Sequence, residues 1–162
     1  MPRYRYTGLP TAIAEQARTT SRSPQYGHPA HRELARGTGP CRHCLRTFEV
    51  GVEDRLLFTY QPFSEAGSLP APGPVFVHAE GCPRYDATRF PPDFHRLPIV
   101  VEGYGVGGRL RLQVRAGTED PEVVIAQAFS DPAVCYVHLR HGEAGCFMAR
   151  VDGVQADSMI AV

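Results

Sequence analysis

The sequence predicts an α+β domain: a mostly antiparallel sheet of about five or six strands with one or two helices. Three observations carry this. Short runs of β-branched and aromatic residues recur along the chain, turn residues separate them at hairpin spacing, and only two stretches have helical periodicity. A chain of 162 residues, 43% of them hydrophobic, is long enough for one such domain with its own core. No internal repeat divides it. Residues 1–38 read as an N-terminal segment with a short helix and a long loop, and residues 39–162 as the α+β core of the same single domain.

The first element is a short helix over 11–18, "TAIAEQAR", with Pro10 near its start and Ile13, Ala14 and Ala17 as its apolar stripe. From Thr19 to Pro40 the chain is rich in Ser, Pro, Gly and His and reads as an extended surface loop. Strands follow at 55–60, "RLLFTY", and 74–78, "PVFVH", joined by a Pro- and Gly-rich connection. "LPIVVEGY" and "RLRLQVR" flank "GVGG" and predict a hairpin. In its second arm Leu110, Leu112 and Val114 alternate with arginines, as on a strand with one wet face. A second helix starts at "EDPEVVIAQAF", with Asp120 as cap, Pro121 in the first turn and Pro132 beyond its end. "AVCYVHLR" and "CFMARV" close a last hairpin, with Cys135 on its core face.

The totals exclude more than they assign. Seventeen basic and seventeen acidic residues balance, so nothing argues for bulk attraction to nucleic acid or membranes. Residues 1–46 nevertheless hold eight arginines against two acids, and residues 47–162 hold the compensating excess of acids, an asymmetry that pairing within one fold satisfies. The chain has no lysine, which rules out Schiff-base chemistry through a side-chain amine. No apolar stretch suits a signal peptide or a membrane span, and five cysteines without an export signal point to a reducing cytoplasm.

One group of residues has the chemistry of a metal site. Cys41 and Cys44 are two residues apart, and His78 and Cys82 follow on a strand end and the turn beyond it. Thiolates and imidazole are the preferred ligands of zinc, and four of them close a structural site. The first pair lacks the glycine that usually lets such a loop turn back, and His43 inside it stands as a competing ligand. A redox pair is the other reading of Cys41 and Cys44, but it belongs at a helix N-terminus, and the chain on both sides is loop.

A second group lies on one strand. Alternation sets Tyr136, His138 and Arg140 on the face opposite Val137 and Leu139. A phenol, an imidazole and a guanidinium on a rigid strand suit anion binding with general acid–base catalysis, and equally suit a solvated face with a satisfied histidine. The glycines of "EGYGVGGR" lack the strand–turn–helix context of a phosphate loop. No nucleotide, flavin or nicotinamide motif is recognisable, nor is there a nucleophile elbow or a zinc-protease helix.

With "PCRHCL", "YQPF", "GPVFVHAEGCPRY" and "VCYVHLR" followed by "CF" in order, the chain resembles an uncharacterised bacterial family known as domain of unknown function 1203. The resemblance runs from about Gly39 to Arg150. It covers Cys41, Arg42, His43, Cys44, Tyr60, Pro62, Phe63, His78, Cys82, Tyr85, His138, Arg140, Cys146 and Phe147. It implies one compact α+β domain and ties the metal group, the His138–Arg140 pair and the loop between the first cysteines into one pattern. It implies no activity.

Two functional expectations follow. In the first the protein is a small-molecule enzyme without an organic cofactor, of isomerase, lyase or cyclase type. Arg42, Arg140 and Tyr85 would bind a small anionic substrate, His138 or His43 would move a proton, and Tyr60 or Tyr136 would hydrogen-bond the reacting oxygen. In the second Cys41, Cys44, His78 and Cys82 hold a structural zinc and the domain binds a macromolecular partner. Convergence of Arg42, His43, His138 and Arg140 on one pocket would favour the enzyme. A closed four-ligand site with an exposed arginine face favours the binding module.

Overall fold

The computed structural model describes residues 3–63 and 71–155. The middle of the connection between the two strands at 55–60 and 74–78 lies outside the described residues. Among the described residues the elements run β1 (Arg3–Thr7), α1 (Thr11–Thr20), β2 (His31–Leu34), β3 (Asp54–Tyr60), β4 (Gly73–His78), β5 (Asp86–Ala87), β6 (Ile99–Tyr104), β7 (Leu110–Arg115), α2 (Pro121–Phe129), β8 (Tyr136–His141) and β9 (Phe147–Val154). Two antiparallel sheets result. The larger has the order β5-β1-β9-β8-β6-β7, and the smaller the order β2-β3-β4.

The α+β class holds, with the strands divided between two sheets. Both helices form where the pattern places them. Asp120 caps α2 by accepting from the Glu122 backbone N–H at 2.9 Å, with Pro121 in the first turn. The hairpins β6–β7 and β8–β9 also form.

Three expectations fail. The stretch 19–40 is not a plain loop: it contains β2, paired along its length with β3, and a bridge between Arg22 and Pro29. The strand β7 has no buried face, since Leu110 and Val114 are exposed, because it is the edge of the larger sheet and α2 packs on β6 and β8 instead. Cys135 is exposed, because β8 begins one residue after it.

The larger sheet is covered on both faces. One face packs Val101, Val137, Leu139, Ala149 and Val151 against Val124, Ile125 and Ala128 of α2. On the other, Tyr104, His138 and Phe147 meet Tyr60 and Phe63 at the end of the smaller sheet. A register shift in β8–β9 places Ala149 opposite Leu139 but Phe147 opposite Arg140, so Met148 is the extra residue. That bulge turns Phe147 onto the His138 face, where their ring centroids are 5.0 Å apart. A second core forms inside the smaller sheet from Leu56, Phe58, Val75 and Val77 with Ala14 and Ala17 of α1. Cys41 and Cys44 belong to this core, which is how the metal-type cluster comes to lie inside the protein. No helix among the described residues is long and apolar enough to cross a membrane.

Candidate metal centre

Residues 40–47 form a tight loop closed by a bridge between Pro40 and Thr47. Within it the Cys41 N–H donates to Arg46 O at 2.9 Å, and the Leu45 N–H donates to Cys41 O at 2.8 Å. Leu45 takes the left-handed conformation, with φ of 60°. This is the place that glycine would fill at no cost; for an L-residue it costs about 1 kcal/mol. Leu45 is 1% exposed in the core of the larger sheet, and burying a leucine is worth about 2 kcal/mol, so packing offsets the strain. The missing glycine is therefore no obstacle to the turn.

The loop is fixed from three sides. Arg42 N–H donates to Phe76 O of β4, Leu9 N–H to Arg42 O and Tyr85 N–H to His43 O, each at 2.8 Å. Gly8 passes so close that a Cβ there would lie 2.2 Å from His43 O. The N-terminal segment, β4 and the chain after Cys82 thus converge on one turn.

This convergence brings Cys41, Cys44, His78 and Cys82 together, with one ligand atom from each inside a 4.8 Å cluster. A tetrahedral ion with bonds of about 2.3 Å to sulfur and about 2.0 Å to nitrogen separates two sulfurs by about 3.8 Å, and sulfur from nitrogen by about 3.5 Å. Here Cys41 Sγ and Cys82 Sγ are 3.8 Å apart, and Cys44 Sγ and His78 Nδ1 are 3.5 Å apart. A disulfide would need about 2.0 Å, and all five cysteines are free. These four residues could hold a metal ion.

The surroundings suit deprotonated ligands. Glu53 Oε2 lies 2.9 Å from His78 Nε2, which orients the ring so that Nδ1 faces the thiols. Arg18 donates to Cys82 Sγ at 3.1 Å, and the His78 backbone N–H donates to Cys41 Sγ at 3.4 Å. Cys44 is the main cause of a raised Arg46 pKa, so this guanidinium too faces the thiols. Three thiolates and a neutral imidazole around a divalent cation would leave one negative charge, which Arg18 and Arg46 face.

Without a metal the charge is divided unequally. Burial pushes the Cys41 thiol up, whereas hydrogen bonds from Cys41 and Cys44, with His43 and His78 behind them, hold Cys82 far below the usual thiol range. Burial would lower His78, but Cys44, Cys82 and Glu53 outweigh it and raise the imidazole to about 10. A bound metal replaces those protons.

His43 is in the site without being one of the four. Its Nδ1 lies 3.2 Å from Cys82 Sγ and its Nε2 2.9 Å from Thr11 Oγ1. A ring protonated at Nδ1 satisfies both, donating to the thiolate and accepting from the hydroxyl. Glu53, Arg18 and Thr11 were not singled out from the sequence. They come from β3's leading turn and from α1, and no spacing links them to the cysteines.

The remaining candidates are distributed elsewhere. Arg42 is buried and donates to Phe147 O at 2.9 Å and Pro40 O at 2.7 Å, with its pKa lowered to about 10 by burial. Arg140 forms an ion pair with Glu102. Glu102 is itself buried, accepting also from Tyr104 Oη at 2.9 Å and Gln113 Nε2 at 2.6 Å. Tyr136 stacks on Tyr104 beneath the Arg150 guanidinium. Tyr60 is buried and its phenol is raised to about 12 by that burial. Tyr85 donates its hydroxyl to Arg89 O at 2.6 Å. The structure brings His138, Tyr136, Arg140 and Phe147 together, and separately brings His43 to the thiols. Arg42 and Arg140 line different recesses, the first with Arg55 and the second with Glu102.

No curated protein matches this chain, and no solved structure does. The family model described as "Protein of unknown function (DUF1203)" matches residues 38–153, most of the chain and all four metal-type ligands, and the chain belongs to that family.

Proposed function

We propose that this protein is a zinc-stabilised binding domain in which Cys41, Cys44, His78 and Cys82 hold a structural zinc ion. The observation that supports this best is the ligand-atom geometry, 3.8 Å between two sulfurs and 3.5 Å between sulfur and imidazole nitrogen. Soft thiolates with one imidazole select zinc among the common divalent ions, and calcium or magnesium would require oxygen ligands. Four protein ligands complete the tetrahedron, whereas a catalytic zinc keeps a place for water. Burial of Cys41, Cys44 and His78, with Arg18 and His43 over Cys82, fits a closed site. The metal's work is then to fasten the 40–47 loop, β4 and the N-terminal segment in one arrangement.

Elemental analysis of the untagged protein, purified without chelator, tests the assignment. One zinc per chain is expected, with Cys41, Cys44 and Cys82 protected from alkylation while Cys135 reacts. Cobalt substitution should give the visible spectrum of a tetrahedral thiolate site, and Cys44→Ala should lose both. Protein that neither carries zinc nor takes up cobalt, with all exposed thiols reacting alike, would sink the reading.

A further inference from the structure

Beside the metal loop, bordered by Gly39 and Arg42, lies a cavity of about 360 Å³. That volume is at the small end of ligand sites. Arg36, Thr38, Arg42, Arg55, His141 and Cys146 bring polar groups to its wall, and Leu57, Pro74 and Phe76 bring apolar ones.

The charges in that wall are not balanced. Arg42 is 3% exposed, its two hydrogen bonds to oxygen go to the neutral carbonyls of Phe147 and Pro40, and the Cys146 thiol is its other polar neighbour. Among the described residues no carboxylate pairs with it. A buried guanidinium without a counter-ion is costly, far more than one in water. Arg55 differs: it is held by Glu33 Oε1 at 2.9 Å and lies 3.7 Å over the Phe76 ring. Glu33 also faces Arg36, so its single charge is shared between two arginines. The buried ring of His141 accepts backbone N–H bonds from Glu143 and Ala144 at Nδ1, both at 3.2 Å. Its proton is therefore on Nε2, which makes no hydrogen bond among the described residues.

We infer that this cavity binds a small organic carboxylate, its carboxylate group against Arg42 and His141 and its apolar body against Leu57, Pro74 and Phe76. An uncompensated guanidinium and a neutral N–H donor match a single carboxylate. The apolar wall favours a ligand with a hydrocarbon part over inorganic phosphate. This goes beyond the zinc reading: the metal fixes the loop that carries Arg42, but the ligand touches none of the four metal-type residues.

Benzoate tests it, with benzamide as the neutral control and inorganic phosphate as competitor. The zinc content of the full chain is measured on the same samples. Benzoate is expected to bind saturably, shifting the backbone amide signals of Gly39, Arg42, Ala144 and Cys146, and benzamide at least about tenfold more weakly, as loss of one charged hydrogen-bonded contact implies. Arg42→Gln should abolish binding. Because Arg42 also supports the fold, Ala144→Trp on the exposed hairpin turn gives the second test: it should close the cavity and abolish binding with zinc content unchanged.

Absence of saturable shifts in the folded wild-type protein would overturn the inference. Equal binding of benzamide, or benzoate binding unaffected by Ala144→Trp, would do the same. Phosphate that displaces benzoate and binds more tightly overturns the carboxylate assignment. Benzoate binding by a protein without zinc would leave this inference standing and the metal reading fallen.

Discussion

A histidine enclosed by aromatic rings has no water to stabilise a second proton. His138 is so placed, with ring centroids of Phe63, Tyr104, Tyr136 and Phe147 at 4.9, 5.1, 5.3 and 5.0 Å. Among the described residues its Nδ1 has no hydrogen-bond partner, and burial first, then Arg140 and Arg150, lower its pKa to about 3. The folded value lies below the ordinary 6.5, so the unfolded chain takes up the proton first as pH falls. Stability from this residue is complete above about pH 6.5 and is lost as pH falls toward 3, by about 2 kcal/mol at pH 5. His138→Phe should remove that loss. Urea midpoints at pH 7 and pH 5 should separate the wild type from the variant, and equal acid sensitivity would show that the ring is not held neutral. Alternation along "YVHLR" correctly set His138 apart from Val137 and Leu139. What covers its face was not legible, because a period of two separates faces without saying what lies on them.

Between neighbouring strands the arrangement is set by Glu102 of β6 and Arg140 of β8. Their side chains are 5% and 12% exposed, and Tyr104 and Gln113 complete the carboxylate's hydrogen bonds. Glu102→Gln leaves Arg140 enclosed without a counter-charge and should cost about 3 kcal/mol. The double variant Glu102→Gln with Arg140→Gln should recover part of it, as read by denaturant unfolding. A single variant within about 0.5 kcal/mol of wild type would mean that water screens the pair. Most strands and both helices were legible, since each has its own period and punctuation. Three strands were not, among them the two-residue β5, which is too short to show a period. The "RYRYT" of β1 lies before the first helix signal, and "HREL" of β2 is polar because it is the edge of the smaller sheet with little apolar surface to cover. The group Cys41, Cys44, His78 and Cys82, which the structure brings together, was legible from spacing and residue type. Their supports Glu53, Arg18 and Thr11 were not, since only the folded chain brings them near.

Across the whole molecule, two cores meet at the 40–47 loop, with Leu45 in one and Cys41 and Cys44 in the other. On the zinc reading, removal of the metal should therefore loosen the smaller sheet and the loop before the larger sheet. In hydrogen exchange with and without a zinc chelator, the amides of Arg42, Leu45 and Tyr85 should exchange about tenfold faster or more, while Val137 and Leu139 change little. Equal acceleration at both sets would show that the metal stabilises the fold as a single unit instead.

The strand β1 lies between β5 and β9, and only two of its residues pair with β5 while five pair with β9. A ribosome releases the chain from its N-terminal end, so β1 emerges well before its long partner. Cys41, Cys44, His78 and Cys82 all leave the exit tunnel within that interval, before Phe147 does. The half of the protein around them can close early, whereas the larger sheet is sealed only when the strand beginning at Phe147 arrives to hold the one beginning at Arg3.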